Sequence, residues 1–312
     1  MRRFLFVLVV LLQLPCYSQS IEPAIDILKT YKNIRDFTLS NNGEEAYVSI
    51  QSPFGEVSVI AGITKTKSSW NEPSIESFSG QYKDLEPFLS PDNLRLYFVS
   101  NRPLDNSTAE PKDFDIWFVE RKNLNSKWGT PINLGAPINT EHNEFYPSVA
   151  QNNNLYFTSD NPLAIGKDDI FFSQWKGNSY STPVSLSKTI NSEGYEFNAF
   201  VSKDESYIIF SGYNRKDGFG SADLYISLKD KDNNWKTAIN LGDTINSKQL
   251  DYCPFVDEKN GTLYFTSKRS SFRKIQNLTT IQDLVKTINK TENGLSKVYK
   301  TSFDLVNFRK KN

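Results

Sequence analysis

"EPFLSPDNLRLYFVSNR", residues 86–102, reads as a strand, a polar turn and a second strand. Ser90, Pro91, Asp92 and Asn93 supply turn chemistry, and Leu96 to Val99 is an apolar, aromatic run with strand preference. Three other stretches align with it: "YPSVAQNNNLYFTSDN" from Tyr146, "NAFVSKDESYIIFSGY" from Asn198 and "CPFVDEKNGTLYFTSKR" from Cys253. A fifth, "DFTLSNNGEEAYVSIQ" from Asp36, is more worn. With Phe37, Pro87, Pro147, Ala199 and Pro254 taken as equivalent, the spacings are 50, 60, 52 and 55 residues. A period of that size marks a repeat architecture.

Each copy continues with a third strand: "DIWF" from Asp115, "DIFF" from Asp169, "DLYI" from Asp223 and a shorter "EVSV" from Glu56. A fourth element follows: "WGTPINLGAPINT" from Trp128, "YSTPVSLSKTINS" from Tyr180, "WKTAINLGDTINS" from Trp235 and a shortened "WNEPSIESF" from Trp70. One four-stranded antiparallel sheet cannot cover both of its apolar faces alone, whereas radial stacking covers them. The expected fold is therefore an all-β propeller of four-stranded blades. The last copy has no good fourth element, yet "EPAIDIL" from Glu22 matches "EPSIESF" from Glu72. The N-terminal strand is thus expected to complete the final blade and remove its open edge. That count gives five blades, with six as the alternative.

The pattern S-P-D-x-x-x-L-Y-F-x-S-N-R, then D-I-[YWF], then W-x-x-P-x-x-L-G-x-x-I-N-[ST], resembles the WD40-like repeat of the TolB-type propeller family. It is clearest over residues 86–140. The resemblance implies an exported propeller that binds proteins or other components of the cell envelope. The fifth copy departs from it, with Lys297-Val298-Tyr299 in place of the Asp-led strand and an insertion at 270–296 before it. Within that insertion Thr280 to Lys290 reads as a short helix, with Thr280 and Asp283 in capping-box spacing.

Arg2 and Arg3, an apolar run from Phe4 to Leu14 and the small residues Cys16 and Ser18 have the order of a secretory signal peptide over 1–18. The alternative is a lipid anchor on Cys16, against which Pro15 stands where a small residue is expected. The expected mature protein, 19–312, is one propeller domain, periplasmic or secreted, with no transmembrane segment. Losing Arg2 and Arg3 leaves 34 basic against 36 acidic residues. No basic field exists to hold nucleic acid. Cys253 is then the one remaining cysteine, so no intrachain disulfide can form.

Three residues before the reference column stand Asp84, Glu144, Glu196 and Asp251, with Ile34 in the first copy. Converging carboxylates at a channel mouth would suit a hard cation such as Ca²⁺ or another ligand. Alternatively each acid bonds a backbone amide or pairs with Arg102, Arg215 or Arg269, which follow the second strands. Asp115, Asp169 and Asp223 recur at one strand entry and read as hydrogen-bond acceptors that maintain the repeat. Trp70, Trp128, Tyr180 and Trp235 read as packing between blades.

The loops between second and third strands, 101–113, 160–168, 213–222 and 268–296, elaborate one face, where recognition usually sits. His142 is the single histidine, and it has no nucleophile motif beside it. Cofactor motifs are absent too. The first expectation is therefore a non-enzymatic binding scaffold that contacts a protein or polysaccharide of the cell envelope. The alternative is a carboxylate-dependent glycoside hydrolase, with Asp36, Asp84, Glu86, Glu144, Glu196 and Asp251 as candidate acids. Against it stands the regular repeat, which places these acids at equivalent positions.

Overall fold

A computed structural model describes residues 20–67, 69–105, 110–273 and 277–310. The expected signal peptide and Cys16 lie outside these residues. The chain forms a five-bladed, all-β propeller. The first blade comprises Ile34–Leu39, Glu45–Gln51, Ser58–Thr66 and Ser74–Ile75, with Ser69–Trp70 as an extra hairpin strand. The second is Asp84–Leu89, Arg95–Ser100, Asp115–Glu120 and Ile132–Asn133; the third is Glu144–Val149, Leu155–Ser159, Asp169–Ser173 and Val184–Ser185. The fourth is Tyr195–Val201, Tyr207–Tyr213, Ala222–Leu228 and Ile239–Asn240. Asp251–Asp257, Thr262–Ser267 and Lys297–Ser302 make the fifth, completed by Glu22–Pro23.

The closure follows the sequence match. Glu22 pairs with Lys300 and Pro23 with Tyr299, and the ladder continues as Ala24 N donates to the Val298 carbonyl at 3.0 Å. Ala24, Ile25 and Leu28 then bury themselves in the main core.

Each innermost strand is bulged at the same place, between Arg35 and Thr38, Leu85 and Phe88, Phe145 and Ser148, Phe197 and Phe200, and Tyr252 and Phe255. The residue at the bulge has positive φ in every blade: Asp36 (57°), Glu86 (58°), Tyr146 (48°), Asn198 (52°) and Cys253 (52°). None is glycine, so each costs about 1–3 kcal/mol of backbone strain, which the ring must over-determine.

The fourth elements hold by side chains more than by ladder. Asn139, Asn191 and Asn246, from the I-N-[ST] motif, each accept from the N–H and donate to the carbonyl of Ile116, Ile170 and Leu224 on the third strand. Trp128 donates to the Tyr47 hydroxyl of the preceding blade at 3.0 Å, and Trp235 meets Tyr156 edge-on at 6.3 Å.

One local expectation is corrected and another is met. The third strand of the first blade is not the short "EVSV" but the nine-residue Ser58–Thr66. Glu56 and Val57 are consumed by the turn, where Ser52 Oγ donates to Glu56 and accepts from Val57 N. In the insertion, Ile281–Ile288 is a helix with the full Thr280–Asp283 capping box, but none of its residues is buried. Ile281, Leu284, Val285 and Ile288 are 39% to 71% exposed, so the helix does not pack over the channel.

Removal of residues 20–30 reopens the edge of the last blade and takes three buried apolar side chains from the core. The expected loss is about 4 kcal/mol, at roughly 1.5–3 kcal/mol per large apolar side chain. It is read from the urea midpoint, and an unchanged midpoint would show that the closure carries no stability.

Candidate functional site

The structure separates two rings of residues that lie two positions apart along the inner strands. The outer ring contains the acids singled out by the repeat. Asp84, Glu144, Glu196 and Asp251 all have zero exposure, and they do not converge on the channel. Each sits in the junction between its own blade and the preceding one. Arg102 Nη2 reaches Asp84 at 2.6 Å, Arg215 Nη2 reaches Glu196 at 2.8 Å and Arg269 Nη2 reaches Asp251 at 3.3 Å.

From the preceding blade's I-N-[ST] motif, the Ser or Thr closes the clamp by donating both its N–H and its hydroxyl to the acid four residues on. Thr140 does so to Glu144, Ser192 to Glu196 and Ser247 to Asp251. Among the described residues, no three or more His, Cys, Asp or Glu side chains form a cluster that could hold a metal ion. Asp169 and Asp223 likewise accept from backbone amides of their own loops, Ile165 and Gly166, and Phe219 and Gly220.

The inner ring is the column of bulge residues, and here the repeat diverges in chemistry. Arg35, just before the first bulge, lies at the axis. Its Nε donates to Asp36 at 2.9 Å, its Nη2 to Glu86 at 2.6 Å and to Cys253 Sγ at 3.4 Å, and its guanidinium lies 5.2 Å from the Tyr252 ring centre. Glu86 also accepts from Asn198 Nδ2 at 3.2 Å and from Tyr146 N at 2.7 Å.

That last bond has a local cause. The amides of Asp36, Glu86 and Asn198 each donate to a hydroxyl on the preceding blade's second strand, from Thr266, Ser49 and Thr158. In the second blade that position is Val99, which has no hydroxyl, so the Glu86 carboxylate serves Tyr146 instead.

On the side of the elaborated loops this cluster floors a cavity of about 290 Å³. Its walls are Leu85, Phe145, Phe197, Leu250 and Tyr252; Glu86, Arg35 and Asn198 form the polar floor, and Asp168 stands at the rim. Burial pushes the Glu86 carboxyl up to about 7, partly offset by Arg35. Burial also raises Asp168, with the charges of Asp160 and Asp169 adding to it. At the opposite end of the channel a smaller cavity of about 140 Å³ is lined by Phe88, Phe200 and Phe255 and bridged by Lys203 Nζ, which donates to Asn41 at 2.6 Å.

Of the acids considered from the sequence, Glu86 alone lines the channel mouth, and Asp36 lies buried beneath it. Sequence reasoning missed Arg35, Phe145, Phe197, Tyr252, Asn198 and Asp168. The available signal was the divergence of two adjacent columns in an otherwise regular repeat.

No known family model matches the sequence, and no curated protein matches it. Solved structures do match in fold. The catalytic domain of a Coprinopsis cinerea GH62 α-L-arabinofuranosidase superposes with TM-score 0.54 at 10% identity, covering 91% of this chain and 96% of that one. A structure described as a glycoside hydrolase gives 0.53 at 9% identity, covering 93% and 92%. TolB from Acinetobacter baumannii gives 0.49 at 10% identity, and this chain spans 55% of its length.

The first two likenesses show the propeller fold, and no likeness shows a specific TolB-type assignment. They also correct the expectation of a non-enzymatic binding scaffold. That expectation rested on the regularity of the repeat, and this regular ring superposes nearly end to end on a catalytic domain of matching length. The acids that made the repeat look uniform are spent on blade junctions, while the two acids that line the channel-mouth cavity, Glu86 on an inner strand and Asp168 on a loop, are not repeat equivalents.

Arg102→Ala leaves Asp84 buried without its cation, for an expected loss of about 3–5 kcal/mol in urea unfolding. A loss within 1 kcal/mol, roughly that of a surface pair, would show the clamp to be incidental. Stability should also fall as the pH rises from about 4.5 to 7. Glu86, Glu144 and Glu76 are each raised to about 7 in the folded protein, so the native state holds protons that the unfolded chain has released. A urea midpoint at pH 5 no higher than that at pH 7.5 would contradict this.

Proposed function

We propose that the protein acts on carbohydrate, as a carboxylate-dependent glycoside hydrolase working at the channel mouth. The observation that carries the reading is Glu86: a carboxyl at the propeller axis, pushed up to about 7, opening into a cavity walled by Phe145, Phe197 and Tyr252. Cleavage of a glycosidic bond needs a proton donor that is still protonated near neutral pH, and burial supplies one here. Asp168 is the second carboxylate, on the rim of the same cavity. Its raised pKa makes it the stronger base.

Aromatic walls suit the apolar faces of a sugar ring. Arg35 and Asn198, already bonded to Glu86, fix the orientation of the acid and present N–H donors beside it. The fold likeness to arabinofuranosidases supports the scaffold for such chemistry, and an α-L-arabinofuranoside is the first substrate to try. Export through the leader expected at 1–18 would bring the enzyme to polysaccharide outside the cytoplasm. On this reading the TolB-type repeat pattern is a way of building blades and does not decide the chemistry.

A panel of aryl arabinofuranosides, xylosides, galactosides and glucosides tests it. Glu86→Gln is expected to lower kcat by about 10²–10⁴-fold, the usual worth of a general acid. Its amide oxygen can still accept from Tyr146. Asp168→Asn, outside the buried cluster, should lower kcat with the melting temperature unchanged. Absence of turnover across the panel, or full activity in Glu86→Gln, would sink the proposal.

A further inference from the structure

Of the four blades that carry the buried junction acid, the third lacks the arginine of the clamp. In the second, fourth and fifth blades an arginine lies over a cross-strand pair of aromatic residues, reaches a backbone carbonyl of the preceding blade and meets the buried acid. Arg102 lies 5.0 Å from the Phe98 ring and 5.4 Å from Trp117 and donates to the Phe78 carbonyl at 3.0 Å. Arg215 lies over Phe210 and Tyr225 and donates to the Ile190 carbonyl. Arg269 lies over Phe265 and Tyr299 and donates to the Ile245 carbonyl at 2.9 Å. Arg102 and Arg269 also donate through Nε to Ser100 and Ser267.

The third blade keeps these features without the arginine. Phe157 and Phe171 form the equivalent cross-strand pair, Ser159 the equivalent hydroxyl and Glu144 the equivalent acid, while Ile138 precedes the motif Asn139-Thr140 as Ile190 and Ile245 precede theirs. The arginine position is Asn161. Its backbone N–H donates to Ser159 Oγ at 3.2 Å, as that of Arg102 does to Ser100, but its side chain accepts from Leu163 N at 2.9 Å within its own loop. What remains is a cavity of about 190 Å³, lined by Ile138, Glu144, Phe157, Ser159 and Phe171 and opening past Leu163, Thr182 and Pro183. Leu163 and Thr182 are exposed, so the mouth faces solvent.

We propose that this cavity is a binding site for a guanidinium group, whether carried by a small molecule or by an arginine side chain of a peptide. The three filled junctions define the fit. A planar cation lies over a pair of aromatic rings, its N–H groups meet a carboxylate and a backbone carbonyl, and in two of the three junctions they also meet a serine oxygen. The Glu144 oxygens already accept from Thr140, which holds the carboxylate in place, and among the described residues no cation pairs with it. The site lies in the wall between the second and third blades, apart from the channel mouth, and does not depend on the glycosidase reading.

Isothermal calorimetry on the full chain, with millimolar methylguanidinium, free arginine and a Gly-Arg-Gly tripeptide, tests the inference. Saturable one-site binding of methylguanidinium is expected, at least about tenfold tighter than methylammonium, which has the charge without the planar fork. Tighter binding of free arginine points to a small-molecule ligand, and tighter binding of the tripeptide to an arginine side chain. Asn161→Arg restores the missing side chain and should abolish binding while raising the melting temperature. Glu144→Gln should also abolish it. The proposal fails if the wild type gives no saturable heat, if methylammonium binds equally well, or if Asn161→Arg binds like the wild type.

Discussion

Five sheets can share one axis only if their innermost strands reach it without colliding, and in this protein that is done by a bulge at the same place in every inner strand. The bulge puts five non-glycine residues at positive φ, a strained arrangement that a single blade could not hold. The neighbours hold it: three bulge amides are tied to hydroxyls of the adjacent blade and a fourth to Glu86. The same distortion turns Asp36, Glu86, Tyr146, Asn198 and Cys253 toward one another, so what closes the ring also assembles its most polar interior.

Two residues earlier, on four of the five inner strands, the demands are different. There the chain passes from one blade to the next, and a buried acid accepts from a preceding Ser or Thr, through both N–H and hydroxyl for Glu144, Glu196 and Asp251 and through the Ser79 hydroxyl for Asp84, and in three blades it meets a guanidinium from its own blade. These acids are fully desolvated, and a buried carboxylate is tolerable only when its oxygens are satisfied. Their regularity therefore reflects assembly. On the proposed reading, chemistry resides in the columns where the blades differ, because an asymmetric substrate needs unlike groups around the axis.

This division explains why a repeat protein on this scaffold can be catalytic. A blade needs its clamp, its asparagine on the third strand and its interblade aromatic residue, and all of these sit away from the channel. The two axial columns are free to vary, and in this chain they carry one guanidinium, two carboxyls, an amide, a thiol and four aromatic rings.

The repeat, the strand order within each blade, the count of five and the N-terminal closure were legible in the sequence, because they rest on local turn chemistry and on matching segments at fixed offsets. The helix at Ile281–Ile288 was legible for the same reason, its cap being a three-residue pattern. The first blade's third strand was not, since its worn copy lacks the leading Asp that marks the others. The sequence also singled out the right clamp residues, Asp84, Glu196 and Asp251 with Arg102, Arg215 and Arg269, while leaving open whether they faced the channel or each other. Tertiary structure alone decided that. A side chain's direction at a bulge depends on register against the neighbouring strand, and residues two positions apart, such as Asp84 and Glu86, diverge in role only once five blades close around an axis that no single segment encodes.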